Sequence, residues 1–102
     1  MPIITHLRVT HCPWGQIQHQ RDVAEGITID TTASHEGYVL SKERFEAMPS
    51  RYKLNTYGKG RCFEEDCEWA LVVLAFPDEF PESDRIAAQQ TANSVYPSLK
   101  VA

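Results

Sequence analysis

Arg61-Cys62-Phe63-Glu64-Glu65-Asp66-Cys67-Glu68-Trp69-Ala70-Leu71-Val72-Val73-Leu74-Ala75-Phe76-Pro77 places four acids in five residues ahead of eight apolar residues and a proline. The run reads as one helix over about residues 64–76. Acids in a first turn suit the positive end of the helix dipole. Pro77 lacks a donor N–H and disfavours helical geometry in the residue before it, so the helix should end near Phe76. Phe63, Cys67, Ala70, Leu71 and Leu74 keep the i, i+4, i+7, i+8 rhythm of a buried face. Trp69, Val72, Val73 and Phe76 cover much of the rest, and a helix apolar nearly all round is normally buried there. The expectation is therefore Glu64, Glu65 and Glu68 at the surface and the second half inside. The rival reading is a buried strand over residues 71–76, because Val72-Val73 is β-branched.

Working outward, the first forty residues are built differently. Residues 3–11 alternate loosely and are rich in β-branched side chains, which reads as a strand. Cys12-Pro13-Trp14-Gly15 is turn chemistry. Residues 16–25 are polar, with Ile17 and Val23 as their few apolar anchors, and suit an edge strand whose charges discourage unwanted pairing. Residues 26–32 alternate cleanly with Ile27 and Ile29 on one face. Ser34-His35-Glu36-Gly37 is a tight turn and Tyr38-Val39-Leu40 a short strand. Ser41 caps a helix over residues 42–48 with its hydroxyl, Pro49 ends it, and Phe45 and Met48 face the core. Residues 50–60 read as a loop holding Tyr52, Tyr57 and two glycines. Beyond Pro77, Phe80 anchors a connection. A last helix opens at Glu82 or Ser83 and runs to about Tyr96, with Ile86, Ala87, Thr91, Ala92, Val95 and Tyr96 as its apolar stripe. Strands first and helices after give one α+β domain: an antiparallel sheet of three or four strands with about three helices on one face.

The length of 102 residues suits a single core, and 42% hydrophobic with 24% charged residues is ordinary for a globular chain. The net charge of −4 argues against general nucleic-acid binding, which needs a basic footprint. The charge is uneven. Residues 1–62 carry eight Lys/Arg against six Asp/Glu, and residues 63–102 carry two against eight. The plain reading is a solvated surface of both signs; the sharper one is an acidic face made for a basic partner. The opening Met-Pro-Ile-Ile-Thr-His lacks a charged start and a long apolar core, and no apolar run approaches the ~18 residues of a membrane span. With Cys12, Cys62 and Cys67 as its thiols, the chain is expected in the cytoplasm with reduced cysteines.

No constellation declares a reaction. The histidines are His6, His11, His19 and His35, and Cys62 and Cys67 make one loose pair where a structural zinc site brings two close ones. No metal and no cofactor is expected, and Cys67 reads as a small core residue. Glu64, Glu65, Asp66 and Glu68 could pair with His35 for acid–base work. The plainer reading makes them dipole-matching acids on a wet turn, with His35 a backbone cap. Ser34 beside His35 is no triad, since no Gly-x-Ser-x-Gly elbow occurs. Gly58-Lys59-Gly60-Arg61 lacks the spacing and Lys-Ser/Thr of a phosphate loop.

Two stretches belong together: Thr32-Ala33-Ser34-His35-Glu36-Gly37-Tyr38-Val39-Leu40-Ser41, with Glu43-Arg44 and Met48-Pro49, and Phe63-Glu64-Glu65-Asp66-Cys67-Glu68-Trp69-Ala70 running to Pro77. They resemble an uncharacterised domain family of bacteria, phages and plasmids. Its members carry a Thr-x-Ser-His-Gly-Gly-like turn, a Leu-Ser-x-Glu-Arg helix start and a Tyr-Glu-Glu-Asp-Cys-x-Trp-Ala helix. The likeness covers about residues 30–77, and Tyr96-Pro97 echoes it. The chain departs at Glu36, where the family usually has glycine, and at Phe63, where it often has tyrosine. The first departure matters if the turn needs positive φ at both positions. The resemblance implies no activity. By context, a small acidic member of such a family is similar to phage anti-CRISPR proteins.

The functional expectation is a small non-enzymatic mobile-element protein that inhibits a bacterial defence system by binding a Cas subunit or complex in the host cytoplasm. It would act as a monomer or homodimer, with no direct nucleic-acid or membrane contact. Glu64, Glu65, Glu68, Asp78 and Glu79 would meet the partner's Lys/Arg, with Trp14, Tyr52 or Tyr57 as apolar anchors and His35 in a functional turn. Two alternatives stand beside it. One is a small enzyme using His35 with Glu64, Glu65 and Asp66, which requires His35 within hydrogen-bond reach of one of those carboxylates or in one pocket with them. The other is an accessory module that binds nucleic acid through the basic residues between Lys42 and Arg61.

Overall fold

The computed structural model describes residues 11–12, 14–55 and 61–100, of which His11 and Cys12 are described by their backbone alone. The expected first strand, at residues 3–11, lies outside the described residues except for its end, and Tyr57 lies outside them altogether. Six strands and three α-helices follow in order: β1 (His11–Cys12), β2 (Gly15–Gln16), β3 (His19–Ala24), β4 (Ile27–Thr31), β5 (Glu36–Leu40), α1 (Lys42–Ala47), β6 (Cys62–Glu64), α2 (Trp69–Ala75) and α3 (Glu82–Val95). β1 and β2 form a small antiparallel ladder. The other four strands form an antiparallel sheet in the order β3-β4-β5-β6. This is the α+β architecture the sequence implies. The polar strand β3 sits at one edge, as its charges suggest.

Alternation divides the sheet. Ile27, Ile29, Tyr38, Leu40 and Phe63 share one face by register. Ile27, Leu40 and Phe63 join Met48, Phe80, Ala88 and the buried residues of α2 in the main core. α2 is buried along Ala70, Leu71, Val72 and Val73, which is the buried second half expected of this run. α3 packs through Ala88 and Ala92, both fully buried. Small residues there let the backbones of α2 and α3 approach closely. Ile86 and Val95, expected in the apolar stripe of α3, are instead 51% and 45% exposed. On the opposite face Val39 and Cys62 pack with Trp14 and Ile17. The sheet is thus covered by helices on one side and by the segment around Trp14 on the other.

The largest departure from the sequence reading is the acidic run. Residues 62–64 are a strand paired with β5, so Val39 faces Cys62, Tyr38 faces Phe63 and Gly37 faces Glu64. Residues 65–68 are turn, and the helix begins only at Trp69. Phe63 is fully buried, but as a strand residue. Its helical spacing to Cys67 is coincidental. A three-residue strand has too little alternation to be read locally, and its pairing with residues 37–39 is a long-range choice.

Where the local chemistry is explicit, it holds. Ser41 accepts the Arg44 N–H at 3.0 Å and caps α1. Gly26 takes φ +82 in the β3–β4 turn, where a Cβ would stand 2.7 Å from Arg44 Cγ. Gly37 is different. It lies in strand β5 without positive φ and is required for space, since a Cβ there would meet the Phe63 carbonyl oxygen at 2.5 Å and the Trp14 ring at 2.8 Å. Glu36 opens the same strand. The Glu36-Gly37 pair therefore lies in extended backbone and needs no left-handed conformation.

Candidate functional site

The four acids of the central run divide by direction. Glu64 and Glu68 are buried, at 9% and 4% exposure. The Glu64 carboxylate accepts the Asp66 N–H at 2.9 Å on Oε2, and the Cys67 and Glu68 N–H groups at 2.8 Å each on Oε1. In return the Glu64 N–H donates to Glu68 Oε1 at 3.3 Å. This reciprocal pair resembles a capping box and satisfies the amides of the turn that enters α2. Burial alone would raise the Glu64 pKa. The backbone donors of Glu68, Cys67 and Asp66 outweigh it and hold the carboxyl below its ordinary value. The surface placement expected for Glu64 and Glu68 is thus corrected. Their carboxylates face inward because the turn has orphan amides to satisfy.

Cys67 is half-buried beside this box. The Tyr96 hydroxyl donates to its Sγ at 3.6 Å. Burial pushes the Cys67 thiol up, the Tyr96 bond opposes it and the Glu64 carboxylate adds to it. Burial likewise drives the Tyr96 phenol far up, helped by Cys67. Cys67 is therefore a protonated structural thiol at neutral pH. Cys62 is buried, and its carbonyl accepts the Asn55 side-chain N–H at 2.8 Å. Among the described residues no group of three or more His, Cys, Asp or Glu side chains is placed to hold a metal ion.

Glu65 and Asp66 point the other way and are exposed. They meet the turn between β4 and β5, so the two stretches that carry the family resemblance are neighbours in space. Glu65 Oε1 accepts the Glu36 N–H at 2.6 Å. The Thr31 hydroxyl donates to Glu36 Oε1 at 3.2 Å. Within the turn, the Thr32 N–H donates to the His35 carbonyl at 2.8 Å, and the Thr32 hydroxyl lies 3.2 Å from the His35 N–H. The resulting open trough, about 540 Å³, is walled by Ser34, His35 and Glu36 on one side and Glu65 and Asp66 on the other. His35 is exposed, and its ring makes no hydrogen bond to the described residues.

A smaller pocket of about 170 Å³ adjoins the trough, and Glu36 and Glu65 line both. Its remaining walls are Ile29, Gly37, Tyr38 and Trp69. Burial pushes the Tyr38 phenol up, Asp84 adds to this and Arg21 opposes it, so the hydroxyl stays protonated at neutral pH. Among the described residues no lysine or arginine lines either cavity.

The other expected contact residues are not gathered here. Trp14 is buried at 6% exposure over Gly37 and Val39, and so serves the core rather than a partner. Tyr52 is half-buried against the main core, with the Arg51 guanidinium 4.6 Å above its ring. Glu79 is ion-paired with Arg44 at 2.8 Å, and Asp78 is exposed next to it. Sequence reasoning missed Glu36 and Trp69 as site residues.

Fold and site together define an α+β domain with an acid-walled trough at the junction of two turns. The chain belongs to the family described as Domain of unknown function (DUF7007), whose model matches residues 8–99. Neither the curated proteins nor the solved structures give a match. No helix among the described residues is long and apolar enough to cross a membrane.

Proposed function

We propose that this domain is a non-catalytic binding module that docks a basic protein surface against the trough. The observation that carries the reading is the convergence of three exposed carboxylates, Glu36, Glu65 and Asp66, in one open trough with no cation among the described residues of its walls. Uncompensated charge of one sign steers and orients an oppositely charged partner. A nucleic-acid-handling protein offers such a basic surface. In its narrowest form the proposal is an inhibitor of a bacterial defence complex, a Cas subunit in the host cytoplasm, and what supports that form is the chain's size, charge and resemblance. The test is capture by the tagged protein from a lysate of a host carrying a type I CRISPR system, washed at low and high salt. Capture of a stoichiometric Cas subunit that high salt releases, and that Glu65→Lys with Asp66→Lys abolishes, is the expected result. Capture that ignores both salt and charge reversal would sink the charge-driven reading.

A second reading is favoured by one observation: His35, Glu65 and Asp66 line the same trough. A small hydrolase using a histidine with carboxylates needs that proximity. Cleavage of labelled DNA or RNA by the wild type, lost in His35→Ala with the fold intact, would establish it. Absence of cleavage across metals and pH would retire it.

A further inference from the structure

The smaller pocket combines features the trough lacks. Ile29, Tyr38 and Trp69 give it apolar and aromatic walls, all half-buried, while Glu36 and Glu65 stand at its rim. Its volume of about 170 Å³ lies well below the roughly 300–1,000 Å³ typical of small-molecule sites, and suits one long side chain. Each rim carboxylate is held by one oxygen: Glu65 Oε1 by the Glu36 N–H, and Glu36 Oε1 by the Thr31 hydroxyl. Their Oε2 atoms carry no further bond among the described residues. An apolar wall with two positioned carboxylates at the mouth is complementary to a cation on an apolar stem. The chain's own Arg21, paired across the sheet with Ile29, influences the Tyr38 hydroxyl but does not line the pocket.

We propose that the Ile29–Tyr38–Trp69 pocket receives a single arginine side chain of the partner, its guanidinium against the Trp69 ring and bonded to Glu36 and Glu65. Arginine fits better than lysine because its planar fork meets carboxylates in pairs and stacks on aromatic faces. Lysine offers a point charge on its stem. The pocket deepens the docking reading and rests on it for its partner, but its chemistry is testable alone.

The probe is a blocked Gly-Arg-Gly peptide, titrated against the labelled full chain by NMR, with lysine and citrulline versions as controls. The expected result is a saturable shift of the Trp69 indole N–H and the Glu36, Gly37 and Glu65 amides. Arginine should bind more tightly than lysine, and citrulline should give no shift. Glu65→Gln should weaken the arginine peptide about tenfold, the factor for losing one charge-assisted hydrogen bond. Trp69→Leu, which keeps an apolar residue at the start of α2, should weaken it while Glu46→Gln, an exposed acid of α1 that lines neither cavity, leaves it unchanged. Shifts spread evenly over all exposed acids, or equal binding by citrulline, would overturn the pocket. If the peptide fails while charge reversal still abolishes partner capture, the pocket falls and the docking reading stands. If the peptide binds and no partner is captured, the pocket stands and the docking reading falls.

Discussion

Glu64 and Glu68 belong to the same five-residue run as Glu65 and Asp66, yet the two pairs do opposite work. The first pair is buried and spends its oxygens on four backbone amides. The second is exposed and walls a trough. Charge in a sequence does not state which way it faces. Here the direction is set by the break between β6 and α2, whose turn needs acceptors for its unpaired amides. An acid that caps a turn is unavailable to a partner, and the exposed pair adds less to the fold, since Glu65 holds the one Glu36 amide where the buried pair holds four. The two pairs should therefore separate in every measurement of stability and binding.

Glu64→Ala should have the largest effect. It leaves three amides without their acceptor, at a cost of about 3 kcal/mol where charged acceptors contribute ~1.5–3 kcal/mol each and water re-solvates part of the turn. Equilibrium unfolding in urea would measure it. A loss below about 0.5 kcal/mol, the scale of ordinary surface changes, would erase the distinction between the pairs.

Gly37→Ala should come next, at about 2 kcal/mol in the same assay, because its methyl group must displace both the Phe63 carbonyl and the Trp14 ring. Gly37 is the register partner of Glu64, so the variant tests the wall that holds the box in place. Unchanged stability would mean that β6 can give way without cost.

The pH dependence sharpens the contrast. The folded pKa of Glu64 lies below its unfolded value of about 4.3. Its contribution is therefore complete above that value and is lost as pH falls through the folded pKa. Between neutral pH and pH 3 the wild type should lose more stability than Glu64→Gln, whose side chain has no proton to gain. Parallel curves would contradict this.

Asp66→Ala should have the smallest effect on stability, within about 0.5 kcal/mol, as for surface substitutions, and Glu65→Ala a larger one of about 1 kcal/mol, because it removes the acceptor of the exposed Glu36 N–H. The main effect of both should appear in partner capture.

Much of the fold was legible because local chemistry dictated it. The Ser41 cap, the alternation of Ile27 and Ile29, Pro49 and Pro77 as stops and the extent of α3 all rest on neighbouring residues. The acidic run was not legible, because helix dipole and turn capping both favour acids before an apolar helix. Only the pairing of residues 62–64 with β5 decides between them. Trp14 misled for a related reason: its role depends on the space left by Gly37, on a strand more than twenty residues away. The trough was half legible. His35 and Glu65–Asp66 stood out as candidates, and their meeting depends on the β5–β6 pairing that local pattern does not carry.

The measurement that tests the account most directly is side-by-side urea unfolding of Glu64→Gln and Glu65→Gln at neutral pH. Glu64→Gln should show a clear fall in midpoint with an unchanged slope, and Glu65→Gln, whose amide oxygen still accepts the single Glu36 N–H, a much smaller fall. Equal losses, or a larger loss for Glu65→Gln, would contradict the division of the acidic run into a capping pair and a docking pair.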